Sequence, residues 1–147
     1  METNKQVLNA MEFEDATNES VRGRIEEFYR EHPEKTLKTL IFKAYGNDGE
    51  EFLAVVIRGD LRISFDRLKQ ELDLVKIRFA TKEEMKKLGL TMGYISPIDC
   101  KSIKIIGDKS ITENKNYYDG GNKPFLYRKN VNYPRDFQVW KMLDVSS

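Results

Sequence analysis

The sequence predicts an α+β fold: a mixed, largely antiparallel sheet with helices packed around it. Three features point there. Two apolar, partly β-branched runs flank a glycine-bounded turn, which is the pattern of a hairpin. Short apolar stripes at helical spacing are scattered between strand-like segments. Strands and helices do not alternate with the regularity that a doubly wound parallel sheet requires.

Each element follows from its residues. The first 17 residues are polar with scattered apolar positions (Val7, Leu8, Met11, Phe13) and read as an extension, ordered in part. Residues 18–147 read as one domain. Val21, Ile25, Phe28 and Tyr29 fall on one helical stripe with Asn18 or Ser20 as its cap. His32-Pro33 ends that helix, because the residue before proline is pushed out of the helical region. Leu37 to Tyr45 and Glu51 to Arg58 form the hairpin around Gly46-Asn47-Asp48-Gly49. Phe65, Leu68 and Leu72 behind Ser64 give a short helix, and the alternation of Val75, Ile77 and Phe79 gives a half-buried strand. Thr81 and Glu84 make a capping box for a helix that Gly89 closes. Ile103 to Ile106 reads as a strand ending at Gly107-Asp108. Phe125 to Val131 and Phe137 to Leu143 read as extended, a helical turn being the alternative for the second.

Composition narrows the chemistry. The chain has 147 residues, enough for one domain. With 25 Lys plus Arg against 24 Asp plus Glu its net charge is +1, which argues against a broad basic surface for long nucleic acid but leaves room for a local patch touching a few phosphates. The longest apolar run, Phe52 to Ile57, falls far short of the ~20 residues of a membrane span. Nothing at the start marks secretion, so the chain reads as cytoplasmic. A single cysteine, Cys100, excludes an internal disulfide and a zinc site built from several thiolates. The single histidine, His32, removes two-histidine metal motifs. No metal or cofactor is expected. If the protein is an enzyme, backbone groups, carboxylates, lysines, hydroxyls or the substrate itself must do the chemistry.

Among individual candidates, His32 beside Pro33 reads as a partner for free helix carbonyls rather than a base. Cys100, without a histidine beside it, reads as a small buried residue. The segment Gly89 to Pro97 is more informative. Gly93 and Pro97 bracket a loop between a helix and a strand, glycine permits close approach of a ligand to the backbone, and successive N–H groups held this way suit an oxyanion or a carboxylate. A second segment, Asp119-Gly120-Gly121-Asn122 with Tyr127, Asn130, Asn132 and Arg135-Asp136 after it, reads either as a ligand-approaching turn or as a loop capping its own backbone. Basic residues gather at Lys82, Lys86 and Lys87, at Lys101, Lys104 and Lys109, and at Arg128, Lys129 and Arg135, where solvated faces explain them.

In order along the chain, KTLIFKA (Lys38 to Ala44), VVIRGD (Val55 to Asp60), GYISP (Gly93 to Pro97), IIGDKSI (Ile105 to Ile111), GGN (Gly120 to Asn122) and NVNYPRDF (Asn130 to Phe137) resemble the editing domain inserted in bacterial prolyl-tRNA synthetases and its free-standing relatives, the YbaK/ProX superfamily. The resemblance covers about residues 33 to 140. It implies a partly barrel-like α+β domain over residues 18–147 that hydrolyses the ester of mischarged tRNA(Pro), carrying alanine or another small amino acid, with tRNA as partner and prolyl-tRNA synthetase as an optional second one. Water would attack the activated ester while amides of the Gly93, Ser96 and Pro97 loop hold the oxyanion. The family's functional lysine, aligned without a gap, falls on Arg67, and its substrate-positioning histidine on Tyr127. Asp108, Gly120, Gly121, Asn122 and Tyr127 would then form the substrate wall, with Arg67 at a phosphate or ribose. The alternative is a catalytically inactive binding module of the same fold that senses an amino acid or binds tRNA or a synthetase.

Overall fold

A computed structural model describes residues 8–147; Val7 lies outside the described residues. Strand β1 (Glu12–Asp15) precedes helix α1 (Glu19–Glu31), then β2 (Leu37–Gly46), β3 (Gly49–Arg58), α2 (Phe65–Leu72), β4 (Lys76–Phe79) and α3 (Lys82–Lys87). The chain closes with β5 (Lys104–Asp108), β6 (Tyr117–Gly120), β7 (Leu126–Val131) and β8 (Lys141–Leu143). One sheet has the order β4-β2-β3-β5-β8 and the other β1-β7-β6. The β3·β5 and β5·β8 pairings are parallel and the others antiparallel, so the sheets are mixed and largely antiparallel. Among the described residues a single bridge, Thr36 to Tyr118, links the two sheets, which stay open beyond it.

The local signals act as expected. Asn18 caps α1, its side chain accepting from the Ser20 and Val21 amides. The hairpin pairs in register from Leu37 with Arg58 to Gly46 with Gly49. Thr81 and Glu84 exchange both bonds of the capping box, and Gly89 ends the helix at φ +76°. The extension is more ordered than its composition suggests: β1 pairs with β7, setting Glu12 opposite Lys129 and Phe13 opposite Arg128. The segment Phe137 to Leu143 is strand only over its last residues. Before them the Trp140 amide donates to the Ile105 carbonyl (2.7 Å), and Lys104 and Lys141 lie 4.2 and 4.7 Å from the half-exposed Trp140 ring.

Strand alternation gives the five-stranded sheet two unlike faces. Phe42, Val55 and Ile106 point to one, where Leu68 of α2 and Val145 of the C-terminal segment cover them. Ile41 and Ala54 point to the other, packed against Met85, Leu90 and Cys100, with Leu37 and Val56 in a neighbouring cluster beside Tyr117 and Val131 of the smaller sheet. A cavity opens on this second face. No helix among the described residues is long and apolar enough to cross a membrane.

Candidate active site

β4 is short and pairs β2 only from Phe42 to Tyr45. The first half of β2 therefore has an uncovered edge, and beside it lies a cavity of about 580 Å³. Its walls come from four directions: Tyr29 on α1, Thr39 on β2, Gly93 and Ile95 in the loop after α3, and Gly120 and Tyr127 on the smaller sheet.

The Gly93 to Pro97 loop is held by the second segment that the sequence singled out. The Asn122 side chain accepts from the Thr91 amide (2.8 Å) and donates to the Gly89 carbonyl (2.9 Å). Its backbone N–H donates to the Tyr94 carbonyl (2.8 Å), and its carbonyl accepts from the Thr91 hydroxyl (2.9 Å). Gly93 has φ +91°, a conformation in which side chains are strained, and its Cβ position faces open space. Gly121 sits where a Cβ would strike Leu126, at 2.6 Å from its side chain. Within the loop the Tyr94 amide is spent on the Thr91 carbonyl. The cavity-lining Gly93 and Ile95 make no amide hydrogen bond among the described residues, which leaves two N–H donors for an anionic oxygen.

Below the loop is a buried polar cluster. Ser96 is fully buried and its hydroxyl accepts from the Ile98 amide, starting the turn that contains Pro97. Arg128 makes a bidentate pair with Asp99 (2.7 and 3.0 Å) and donates to the Gly120 carbonyl (2.9 Å). Asp119, cross-strand from Arg128, accepts from the Gly120 amide through Oδ1 while its Oδ2 has no partner among the described residues. Loss of hydration raises the Asp119 carboxyl to about 7 against the pull of Ser96 and Arg128. Burial likewise pushes Cys100 up to about 12, so it stays a thiol packed in the core.

The polar side chains of the cavity lining include the phenols of Tyr29 and Tyr127, the carboxylate of Glu26 and the ammonium of Lys38. Burial, reinforced by Tyr94, raises Tyr127 to about 12, and burial raises Tyr29 well above the usual phenol value. Tyr127 packs between Tyr29 (5.6 Å between centroids) and Tyr94 (5.7 Å). The cavity's cation is Lys38, whose ammonium also reaches the Leu61 carbonyl and whose pKa burial lowers.

Of the predicted site residues, Gly93, Gly120 and Tyr127 line the cavity, and Ser96, Pro97, Gly121 and Asn122 support its walls. Two are elsewhere. Asp108 is buried and accepts from the Ser110, Val145 and Ser146 amides, while Arg67 donates to the Ser146 carbonyl (2.8 Å). Both fasten the C-terminal segment on or beside the α2-covered face, and neither lines the cavity. The physical reason is placement: α2 packs through Leu68 onto the side of the sheet that Phe42 faces, away from Thr39 and Ile41. His32 is outside the cavity too, half exposed, with its ring against Phe28 and 3.6 Å from Glu34. Sequence reasoning passed over Tyr29, Lys38 and Thr39. For the last two the available signal was the adjacent pair Lys38-Thr39 near the start of a largely apolar strand.

The pocket is roofed by a glycine-ended loop with two unspent amides. Comparison with known proteins identifies the family. Residues 23–125 match the aminoacyl-tRNA editing domain. A proline–tRNA ligase of Dehalococcoides mccartyi is 34% identical over 142 residues, covering 97% of this chain and 24% of the ligase. That of Fusobacterium nucleatum is 39% identical over 113 residues, covering 76% of this chain and 20% of the ligase. The chain thus spans a quarter or less of the length of these relatives. Among solved structures, the hypothetical protein APE2540 superposes with a TM-score of 0.73 at 22% identity, covering 94% of this chain and 92% of that one. A candidate trans-editing enzyme for prolyl tRNA synthetase superposes with 0.69 at 16% identity, covering 93% and 87%. The chain belongs to the aminoacyl-tRNA editing domain family.

Proposed function

We propose that the protein is a deacylase that cleaves the ester of a mischarged tRNA, with tRNA(Pro) carrying a small amino acid as its substrate. The observation that carries this reading is that Gly93 and Ile95, whose amides have no partner among the described residues, line a cavity that could hold an aminoacyl group and the terminal nucleoside. An aminoacyl ester needs no metal or imidazole to be cleaved by water. The two amides hold the oxygen that becomes negative in the tetrahedral intermediate, each donor being worth ~2.7–4 kcal/mol in comparable sites. Lys38 meets the phosphate of the tRNA end, the role that Arg67, placed away from the cavity, does not fill. Tyr127 and Tyr29 bound the acyl group and exclude larger ones, a sieve in which one methylene discriminates by ~1–3 kcal/mol.

A deacylation panel tests this: purified protein with tRNA(Pro) charged with alanine, serine, threonine, cysteine or proline. Turnover of a mischarged species and sparing of the prolyl ester is the expected result. No turnover with retained binding of the tRNA end would favour the non-catalytic module, a reading encouraged by Tyr127 standing where the family's histidine is expected.

A further inference from the structure

A bulky residue stands in a turn that disfavours it. Between β6 and β7 the chain reverses through Lys123-Pro124-Phe125, where the Leu126 amide donates to the Lys123 carbonyl (3.1 Å). Phe125 has φ +61°, the left-handed region in which a Cβ crowds the backbone and glycine or asparagine is the ordinary choice. The Ala16 amide holds that conformation by donating to the Phe125 carbonyl (2.7 Å). Burial does not compensate, because the residue is 41% exposed. Glycine would suit the turn better; what phenylalanine adds is an aromatic face at the surface.

That face has a cation beside it and lies next to the cavity. The Arg22 guanidinium is 4.4 Å from the Phe125 ring centroid. Among the described residues its Nη1 donates to the Ala16 and Thr17 carbonyls (3.3 and 3.5 Å), while Nε and Nη2 are unspent and no carboxylate pairs with it. Arg22, Glu26 and Tyr29 fall at i, i+4 and i+7 on α1, and the last two line the cavity. Burial raises the Tyr127 phenol and the Arg22 charge pulls against it, which sets the guanidinium near the cavity wall. From the other side Phe125 meets Tyr94 edge-on (6.4 Å between centroids), and Tyr94 meets Tyr127 (5.7 Å). The Phe125–Arg22 pair thus stands one aromatic ring beyond the wall that Tyr127 forms.

An exposed aromatic ring holds an unpaired base by stacking, whichever base it is, and a free guanidinium beside it suits a phosphate. We infer that Phe125 and Arg22 form a second nucleotide subsite outside the cavity, with Phe125 stacking the base next to the terminal nucleoside of a single-stranded RNA end and Arg22 meeting the phosphate on the far side of that base. This rests on the editing reading, in which the terminal nucleoside sits inside the cavity, and it places a contact where neither that nucleoside nor the acyl group reaches.

The test uses the whole chain and three non-hydrolysable ligands built on the alanyl amide of 3′-amino-3′-deoxyadenosine. One is the nucleoside amide alone, one carries a 5′-phosphorylated cytidylate on its 5′ side, and one has an abasic ribose in place of that cytidine. In equilibrium binding the wild type should hold the cytosine dinucleotide about tenfold or more tighter than the abasic one. In Phe125→Asn, which keeps the turn because asparagine tolerates positive φ, that gain should fall to about one while the nucleoside amide binds as before. Phe125→Trp should restore the gain. Arg22→Gln should weaken both dinucleotides and flatten their salt dependence. Equal binding of the two dinucleotides by the wild type overturns the inference, and so does an equal loss of all three ligands in Phe125→Asn or a failure of all three to bind. The subsite and the editing reading fail separately. A tightly held nucleoside amide with no gain from the base removes the subsite alone, whereas a base-dependent gain without ester turnover keeps the subsite and removes the deacylase.

Discussion

The carbonyl of Tyr94 closes directly over Gly120: a Cβ placed on Gly120 would lie 2.3 Å from the Tyr94 oxygen and 2.4 Å from its carbonyl carbon. Both obstructing atoms are backbone, so a side chain at Gly120 can be accommodated only by moving the loop. Gly120→Ala should destabilise the protein by about 1–3 kcal/mol. It should also lower kcat/KM for ester cleavage at least a hundredfold, on the order of one lost oxyanion donor. Thermal unfolding and a deacylation assay on the same sample check both halves.

Gly93→Val separates the loop's shape from its packing. Nothing lies within 4 Å of the Gly93 Cβ position, but φ is +91°. The expected result is a folded protein with ester cleavage abolished, because relief of the strain rotates the Gly93 amide away from the cavity. Unchanged turnover would remove the loop from the mechanism.

Asn122 ties two stretches of the loop together through its side chain. Asn122→Ala leaves the Thr91 amide and the Gly89 carbonyl without their partner and should cost about 1–3 kcal/mol. Faster hydrogen exchange at the Thr91 amide would localise the loss, with KM affected more than the melting temperature.

Arg67 and Lys38 are a contrasting pair. Arg67 is an exposed side chain bonded to the C-terminal segment, so Arg67→Ala should change stability by only ~0–1 kcal/mol and leave turnover within about threefold. Lys38→Ala should raise KM and flatten its dependence on salt, since one phosphate contact is lost. A salt titration of KM for the two variants distinguishes them.

Asp119 gives the fold a pH dependence of definite sign. Its carboxyl titrates near 3.8 when unfolded and at about 7 when folded, because burial disfavours the charge more than Ser96, the Gly120 amide and Arg128 favour it. The folded state therefore keeps a proton that the unfolded chain has lost. The stability this contributes is present below pH 3.8, declines as pH rises, and is gone once pH passes about 7. Asp119→Asn should remove that decline and, above pH 7, melt higher than the wild type. Parallel melting curves at pH 5 and pH 8 measure it.

The parts of this molecule that were legible in its sequence are those fixed by near neighbours. The Asn18 cap, the hairpin around Asn47-Asp48 and the Thr81 to Glu84 box each involve residues a few positions apart. Strand β1 escaped notice because EFED has no apolar alternation and becomes a strand only by lying against Lys129, Arg128 and Tyr127, far along the chain. The glycines and Asn122 were singled out correctly as a loop region, but their union with Gly93 depends on a contact across 31 positions. Arg67 and Asp108 were given substrate roles by register with a family, and register says nothing about which face of a sheet a helix covers. Thr39 was hidden for the opposite reason: threonine is an ordinary strand residue, and its place in the cavity lining exists only once the fold is assembled.

Trp140 is the protein's single indole, set between two lysine ammonium groups at the β5–β8 edge and absent from the cavity lining. Its fluorescence is therefore a local gauge of whether that border stays docked. Excitation at the red edge, where phenols no longer absorb, would follow that border alone during unfolding, with no label attached.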